Sequence, residues 1–275
     1  MRVLVVEDNP INLRLAMHQI TKLGGKPEGA ANGREAVEAL ARNGYDAVLM
    51  DCQMPELDGY EASREIRRRE AADADPADRP ILTASRPIWI VAMTANAMDG
   101  DRDKCIAAGM DDYVSKPVTL DALREVLERA EVGRSEVRST PDSGRPDQSP
   151  TAPSSAEPLD AGIIAELRSE KAGLLCQLID LFTTATPGKL DAMERALVIG
   201  DLEEVAFGAH NLKGIAGNLG ARRMAELCQA IENDLRSGAP AAAAESLNHL
   251  RREHRRVVTA LLREREASRG QDAEL

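Results

Sequence analysis

The 275-residue sequence predicts two domains of different class, an α/β domain built on a parallel sheet and an all-α helical bundle. Three observations lead there. Up to about residue 130, short apolar runs alternate with helical patterns, which implies a parallel sheet covered by helices on both faces. From about residue 160, apolar residues recur only at helical spacing. Between them, residues 133–158 hold Pro141, Pro146, Pro150, Pro153 and Pro158 among Ser, Thr, Gly and charged residues. Val137 is the only branched aliphatic in that stretch, so it cannot bury enough surface to offset the entropy of ordering and reads as a flexible linker.

The strands expected in order are Val3–Val6, a weaker one at Lys26–Ala31, then Ala47–Met50, Ile88–Met93 and Tyr113–Ser115. Helical stretches fall at Pro10–Leu23, Arg34–Arg42, Tyr60–Glu70, Asp99–Ala108 and Leu120–Ala130. Asn9 before Pro10 is a good helix start, because Asn caps and Pro suits the first turn. Residues 71–87, with Pro76, Pro80 and Pro87, read as a surface loop. In the second region the helical apolar runs are Ile163–Leu167, Leu174–Phe182, Leu190–Leu197, Leu202–Leu212, Met224–Leu235 and Leu247–Leu262. Asp160 and Asp201 are plausible caps, and short connections make an antiparallel bundle the expected packing. The expected spans are 1–132 for the first domain, 133–158 for the linker, 159–267 for the bundle and 268–275 for a disordered tail.

Composition narrows the function. A formal net charge of −11 argues against broad nucleic-acid binding, since phosphate backbones attract basic surfaces. No apolar stretch reaches the roughly 18–20 residues needed to cross a bilayer, and Val3-Leu4-Val5-Val6 followed by acids is not a secretory signal. Cys52, Cys105, Cys176 and Cys228 form no CxxC pair, so reduced thiols in a cytoplasmic protein are expected.

Polar residues stand where each apolar strand stops: Glu7 and Asp8 after the first, Asp51 after the third, Thr94 after the fourth and Lys116 after the fifth. In an open parallel sheet, ligands bind outside the carboxyl ends of the strands. Four segments therefore converge on one rim with three carboxylates, a hydroxyl and an amine. Two carboxylates about 4 Å apart repel by roughly 4 kcal/mol at an effective dielectric of about 20, so three call for protonation or a cation. An all-oxygen site with few protein ligands favours Mg2+. Lys116 can pair with a phosphoryl group and Thr94 can donate a hydrogen bond to it. The chemistry indicated is phosphoryl transfer onto a carboxylate.

The segments Val3-Leu4-Val5-Val6-Glu7-Asp8-Asn9, Met50-Asp51-Cys52-Gln53-Met54-Pro55 with Asp58-Gly59, Met93-Thr94-Ala95 and Tyr113-Val114-Ser115-Lys116-Pro117 resemble the receiver domain of response regulators. The resemblance covers about residues 1–130. It implies a flavodoxin-like fold with strand order 2-1-3-4-5, the order that general accounts of such sheets give for a chemotaxis receiver. It makes Asp51 the phosphoacceptor and assigns Mg2+ to Glu7, Asp8, Asp51 and the backbone carbonyl of Gln53. Thr94 and Tyr113 become a switch pair, Lys116 a phosphoryl contact, and the Lys116–Pro117 bond is expected to be cis.

In the second domain, His210 shares a helical face with Lys213, Gly214 and Gly217. Glycine inside a helix costs about 1 kcal/mol relative to Ala, so two on one face imply clearance for a partner above the imidazole. Lys213 can neutralise a phosphoryl group on His210 and disfavours imidazolium, keeping the ring nucleophilic. Ala209-His210, Leu212-Lys213-Gly214, Asn218-Leu219-Gly220-Ala221 and a later Leu227 to Glu232 resemble a histidine phosphotransfer (HPt) domain over roughly residues 160–265. Family members often carry a small hydroxyl residue after the histidine, where this chain has Asn211. His18, His249 and His254 are expected to be plain surface residues. So is the face carrying Arg251, Arg252, Arg255 and Arg256, on a helix whose buried side is read as Leu247, Leu250, Val258 and Leu261. Asp99, Asp101 and Asp103 mimic a calcium loop, but Lys104 and Met110 stand where Gly and Glu are needed.

A receiver joined to an HPt domain, as in the C-terminal part of hybrid sensor histidine kinases or in stand-alone receiver–HPt proteins, implies a phosphorelay intermediate. An upstream sensor histidine kinase would phosphorylate Asp51, His210 would take the group, and a downstream response regulator receiver would accept it. No Walker-type loop or Gly-rich ATP lid is present, so self-phosphorylation from ATP is not expected. The rival reading is a binding module or phosphate sink, in which Asp51 phosphorylation alters a partner surface. A DNA-binding regulator lacks a helix-turn-helix pattern.

Overall fold

The apolar runs of the first region form five parallel strands, β1 (Arg2–Val6), β2 (Lys26–Ala30), β3 (Ala47–Asp51), β4 (Trp89–Thr94) and β5 (Asp112–Ser115). Their order in the sheet is β2-β1-β3-β4-β5. The helices of this region are α1 (Pro10–Lys22), α2 (Gly33–Arg42), α3 (Gly59–Ala72), α4 (Asp99–Ala107) and α5 (Leu120–Gly133). Successive side chains of a strand point to opposite faces, and the sequence uses both. Leu4, Val6, Val48, Met50, Ile90 and Ala92 pack with Val37 and Leu40 of α2, Ala62 and Ile66 of α3 and Cys105 of α4. Val3, Val5, Leu49, Val91, Met93 and Val114 pack with Ala16 and Ile20 of α1 and with Leu123, Val126 and Leu127 of α5. Each fully buried Val, Ile or Leu stabilises by about 1.5–3 kcal/mol, which is why near-continuous apolar runs mark these strands. β2 is the weak one because it is an edge: it pairs only with β1, is largely exposed and tolerates Pro27.

The computed structural model describes residues 1–72, 87–94, 99–133, 157–170 and 173–272, in two units that divide between Ser149 and Pro150. The expected loop over 71–87 lies, beyond its ends, outside the described residues, as does the linker expected at 133–158.

The second unit is helical: α6 (Ala161–Ser169), α7 (Leu174–Ile199), α8 (Leu202–Asn218), α9 (Arg222–Arg236) and α10 (Pro240–Asp272). α7, α8, α9 and α10 pack each on the next, and α10 closes back onto α7. The core is aliphatic, with Phe182 its one buried aromatic ring besides histidine among the described residues. Both expected caps form: Asp160 Oδ1 accepts from Gly162 N at 2.8 Å, and Asp201 Oδ1 from Glu204 N at 3.1 Å. The two apolar runs around Pro187 belong to one helix, α7, which continues through the proline. An interior proline costs about 3 kcal/mol, and here both flanks of the helix bury apolar residues that offset it. α10 runs to Asp272, whereas the bundle is expected from the sequence to end at 267 and a tail to begin at 268. Among the described residues, no helix is long and apolar enough to cross a membrane.

Candidate functional site

The sheet brings the strand-end residues together. Glu7 follows β1, where its N–H donates to Ala30 O at 3.0 Å, and Asn9 caps α1 by accepting from Ile11 N at 3.0 Å. Asp51 ends β3 and is 3% exposed. One carboxylate oxygen each of Glu7, Asp8 and Asp51 lie within 4.8 Å of one another. Lys116 Nζ bridges two of them, donating to Glu7 Oε2 at 2.6 Å and to Asp51 Oδ2 at 2.7 Å. Gln53 N–H donates to Asp51 Oδ1 at 3.2 Å. Gly59 explains the Asp58-Gly59 motif: a Cβ there would stand 2.1 Å from the Asp51 carbonyl oxygen, so only glycine lets α3 start against the end of β3.

Electrostatics follow from that crowding. Burial first, then the Glu7 carboxylate, push the Asp51 carboxyl up to about 8, against the pull of Lys116 and the Gln53 N–H. Burial alone would lower Lys116, yet the Asp51 and Glu7 carboxylates outweigh it and hold the ammonium above its usual range. Three carboxylates face one ammonium, and every donor in the cluster is a hard oxygen, which suits a small divalent cation.

Thr94 ends β4, is buried and is tied to the site through its carbonyl, which accepts from Lys116 N at 2.7 Å. Tyr113 is half-buried and packs against the core that contains Cys52 and Ile90. The Lys116–Pro117 bond is cis. All four cysteines are free, and Cys52 and Cys105, distant in sequence, bring their sulfurs to 4.0 Å in the core. That contact and burial push the Cys52 thiol far up, which keeps it an unreactive thiol.

His210 lies on α8 with a side chain 17% exposed. Its Nδ1 stands 3.2 Å from Glu232 Oε1 on α9. The other oxygen of Glu232 accepts from Lys213 Nζ at 2.6 Å and from Gln229 Nε2 at 3.1 Å, and Lys213 also donates to Gln229 Oε1 at 3.1 Å. Burial would raise the Glu232 carboxyl, but hydrogen bonds from His210 and Lys213 hold it below the usual range. Gly214 and Gly217 are half-buried along the same helix. Gly220, with φ +70°, reverses the chain after α8, where its carbonyl accepts from Asp160 N at 2.9 Å.

Sequence reasoning missed Glu232 as a site residue and gave Lys213 no partner but a phosphoryl group. The signal was present: Met224, Leu227, Cys228 and Ile231 form the buried stripe of α9, and Glu232 sits on it. A second correction concerns His254, expected on the surface. It is 7% exposed, its Nε2 lies 2.6 Å from Thr186 Oγ1, and its ring stacks on Phe182 with centroids 5.4 Å apart. Burial, then Arg251 and Arg255, lower its pKa to about 4. Arg251 is likewise no solvated charge, since it pairs with Asp191 and Glu194 of α7.

Two family models match these two units. Residues 3–128 match the response regulator receiver domain and residues 177–260 match the Hpt domain, so the chain carries one of each. Among curated proteins it is similar to the virulence sensor protein BvgS of Bordetella pertussis, 32% identical over 84% of this chain and 18% of that protein. It is also similar to the signal transduction histidine-protein kinase BarA of Escherichia coli K12, 31% identical over 86% of this chain and 24% of that protein. The chain thus spans a quarter or less of the length of these relatives. A solved receiver domain of a sensor histidine kinase from Pseudomonas aeruginosa PAO1, with magnesium in its active-site cleft, is 41% identical, covering 46% of this chain and 94% of that one at a TM-score of 0.39.

Proposed function

We propose that this chain is a phosphorelay intermediate that takes a phosphoryl group from a histidine kinase on Asp51, passes it to His210 and delivers it to a downstream receiver. The observation that supports this reading best is the presence, in one chain, of a buried aspartate paired with a lysine and a half-buried histidine held through one ring nitrogen. In the first step an Asp51 carboxylate oxygen attacks phosphorus, and the N–P bond of the kinase phosphohistidine breaks. In the second, His210 Nε2 attacks, the N–P bond forms, and the O–P bond breaks to restore the carboxylate. Glu232 suits this role: accepting a hydrogen bond from Nδ1–H fixes the tautomer that leaves the Nε2 lone pair as nucleophile. Its charge also stabilises the imidazolium-like phosphohistidine. Gly214 and Gly217 leave room for the incoming receiver.

Glu7, Asp8, Asp51 and the Gln53 carbonyl would hold Mg2+, which supplies charge neutralisation at the transferring phosphoryl group. Lys116 is placed to turn from Asp51 to the phosphoryl oxygens, and Thr94 to donate to them, with Tyr113 responding as the switch partner. The upstream partner is a sensor histidine kinase and the downstream one a response regulator receiver. The compartment that fits these partners is the cytoplasm.

Radiolabelled acetyl phosphate tests the reading, because phosphohistidine survives alkali and an acyl phosphate survives acid better. Wild-type chain should acquire alkali-stable label that disappears in both His210→Gln and Asp51→Asn. Alkali-stable label that persists in Asp51→Asn would remove Asp51 from the route to His210. Its absence from the wild type would favour the binding-module reading.

A further inference from the structure

Asn12 is an unusual residue for its place. It lies in the first turn of α1, 8% exposed, on the face that also buries Ile11, Leu15 and Ala16. Asparagine is a poor helix former, and burying its amide is costly unless the amide is hydrogen-bonded. An apolar residue would serve packing better. The amide Nδ2 donates to Glu7 Oε1 at 2.9 Å, and Glu7 is 2% exposed.

The other oxygen of Glu7 depends on Lys116, whose Nζ is shared with Asp51. In the proposed function Lys116 turns toward the phosphoryl group, so its hold on Glu7 weakens whenever Asp51 is loaded. Asn12 stands on α1, a different element from those at whose ends Lys116 and Asp51 stand. It is also uncharged. A lysine at this position would neutralise Glu7 and compete with a cation, whereas an amide aims the carboxylate and leaves its charge available. We propose that Asn12 is a positioning residue for the cation site, holding Glu7 in one rotamer and leaving it charged while Lys116 moves between Asp51 and the phosphoryl group. The inference rests on the reading of Glu7, Asp8 and Asp51 as a magnesium site. Partners that orient metal ligands from outside the coordination sphere are typically worth about 10- to 100-fold in metal affinity.

Isothermal titration of the full chain with Mg2+ tests it. Wild type should bind, and Asn12→Leu, which keeps the branched shape without the donor, should bind about 10- to 100-fold more weakly. The loss of affinity should be measured on protein that is fully folded without metal, since a merely structural asparagine would lower the thermal midpoint and leave the Mg2+ affinity of the folded chain unchanged. Asn12→Ala repeats the test with a smaller side chain. Folded variants that bind Mg2+ as tightly as wild type would overturn the positioning role while leaving the metal site standing. A wild type that does not bind Mg2+ would overturn both. A measurement on unmutated protein stands independently of either variant's folding: the Asn12 side-chain amide protons should exchange slowly with water in the Mg2+-saturated chain, and exchange as fast as at a surface asparagine would refute the contact.

Discussion

His254 makes the helical unit sensitive to mild acid. Its imidazole is buried against Phe182 and bonded to Thr186, with Arg251 and Arg255 as the neighbouring cations and Glu253 beside it on α10. The fold therefore keeps the ring neutral down to about 4, whereas an unfolded chain takes up the proton near 6.5. The sign follows: stability is complete above pH 6.5 and is lost as pH falls from 6.5 toward 4, because the unfolded state binds the proton first. That interval is worth about 3 kcal/mol at roughly 1.36 kcal/mol per pH unit, or about 2 kcal/mol once solvent screening at the ring edge is allowed. More than half of it should be gone by pH 5. Within the helical unit, carboxylates held below their usual range, such as Glu232 and Asp160, lose their contributions at lower pH, so the window from 6.5 to 5 belongs mainly to His254. Asp51, raised to about 8, makes the receiver unit gain stability over the same fall in pH. Urea unfolding followed by far-UV circular dichroism at pH 7 and pH 5 measures the loss. Trp89, the single tryptophan, reports the receiver unit separately by fluorescence. His254→Gln, which keeps a hydrogen-bonding group but does not titrate, should flatten the dependence. An imidazole signal for His254 that titrates near 6.5 by NMR, or an unchanged pH dependence in the variant, would refute the reasoning.

Glu232→Gln should slow phosphoryl transfer to His210 by about 10- to 100-fold, since it removes the charge that orients Nδ1 and leaves Lys213 without its carboxylate. The same change should cost about 1–3 kcal/mol in unfolding of the helical unit, and wild-type transfer kinetics in a folded variant would clear Glu232 of any role. Gly59→Ala should destabilise the receiver by about 3 kcal/mol, read from the denaturation midpoint of Trp89 fluorescence, and depress labelling of Asp51, because the new Cβ meets the Asp51 carbonyl. A wild-type midpoint would show that α3 moves aside freely.

The receiver was legible in the sequence because its physics is local and redundant. β1, β3 and β4 are apolar on both faces, so their ends are sharp, and the residues beyond each end had to meet on one rim. Asp51, Glu7, Asp8 and Lys116 do meet there. β2 was faint because an edge strand needs little apolar surface. The helical unit was harder, since each helix shows a stripe and no polar stop. His254 lies on the stripe Leu247, Leu250, Val257 and Leu261 at spacings of three and four, and reading Val258 in place of Val257 turned it outward. Glu232 was missed because its place on the buried stripe of α9 signals only that a carboxylate is covered, while its partner, His210, lies on another helix that no periodicity within α9 identifies. Pro187 likewise separates two runs in sequence, while tertiary packing carries the helix through it.

The proposed relay is a transfer in order, and one reconstitution measures it: a sensor histidine kinase, this chain and a response regulator receiver, with labelled ATP and purified variants whose folding has been checked. Asp51→Asn should block label from the kinase at His210 and at the receiver, yet still accept it on His210 from a phosphorylated receiver run in reverse. His210→Gln should take label on Asp51 and pass none forward. A downstream receiver that becomes labelled at the wild-type rate through His210→Gln would contradict the relay.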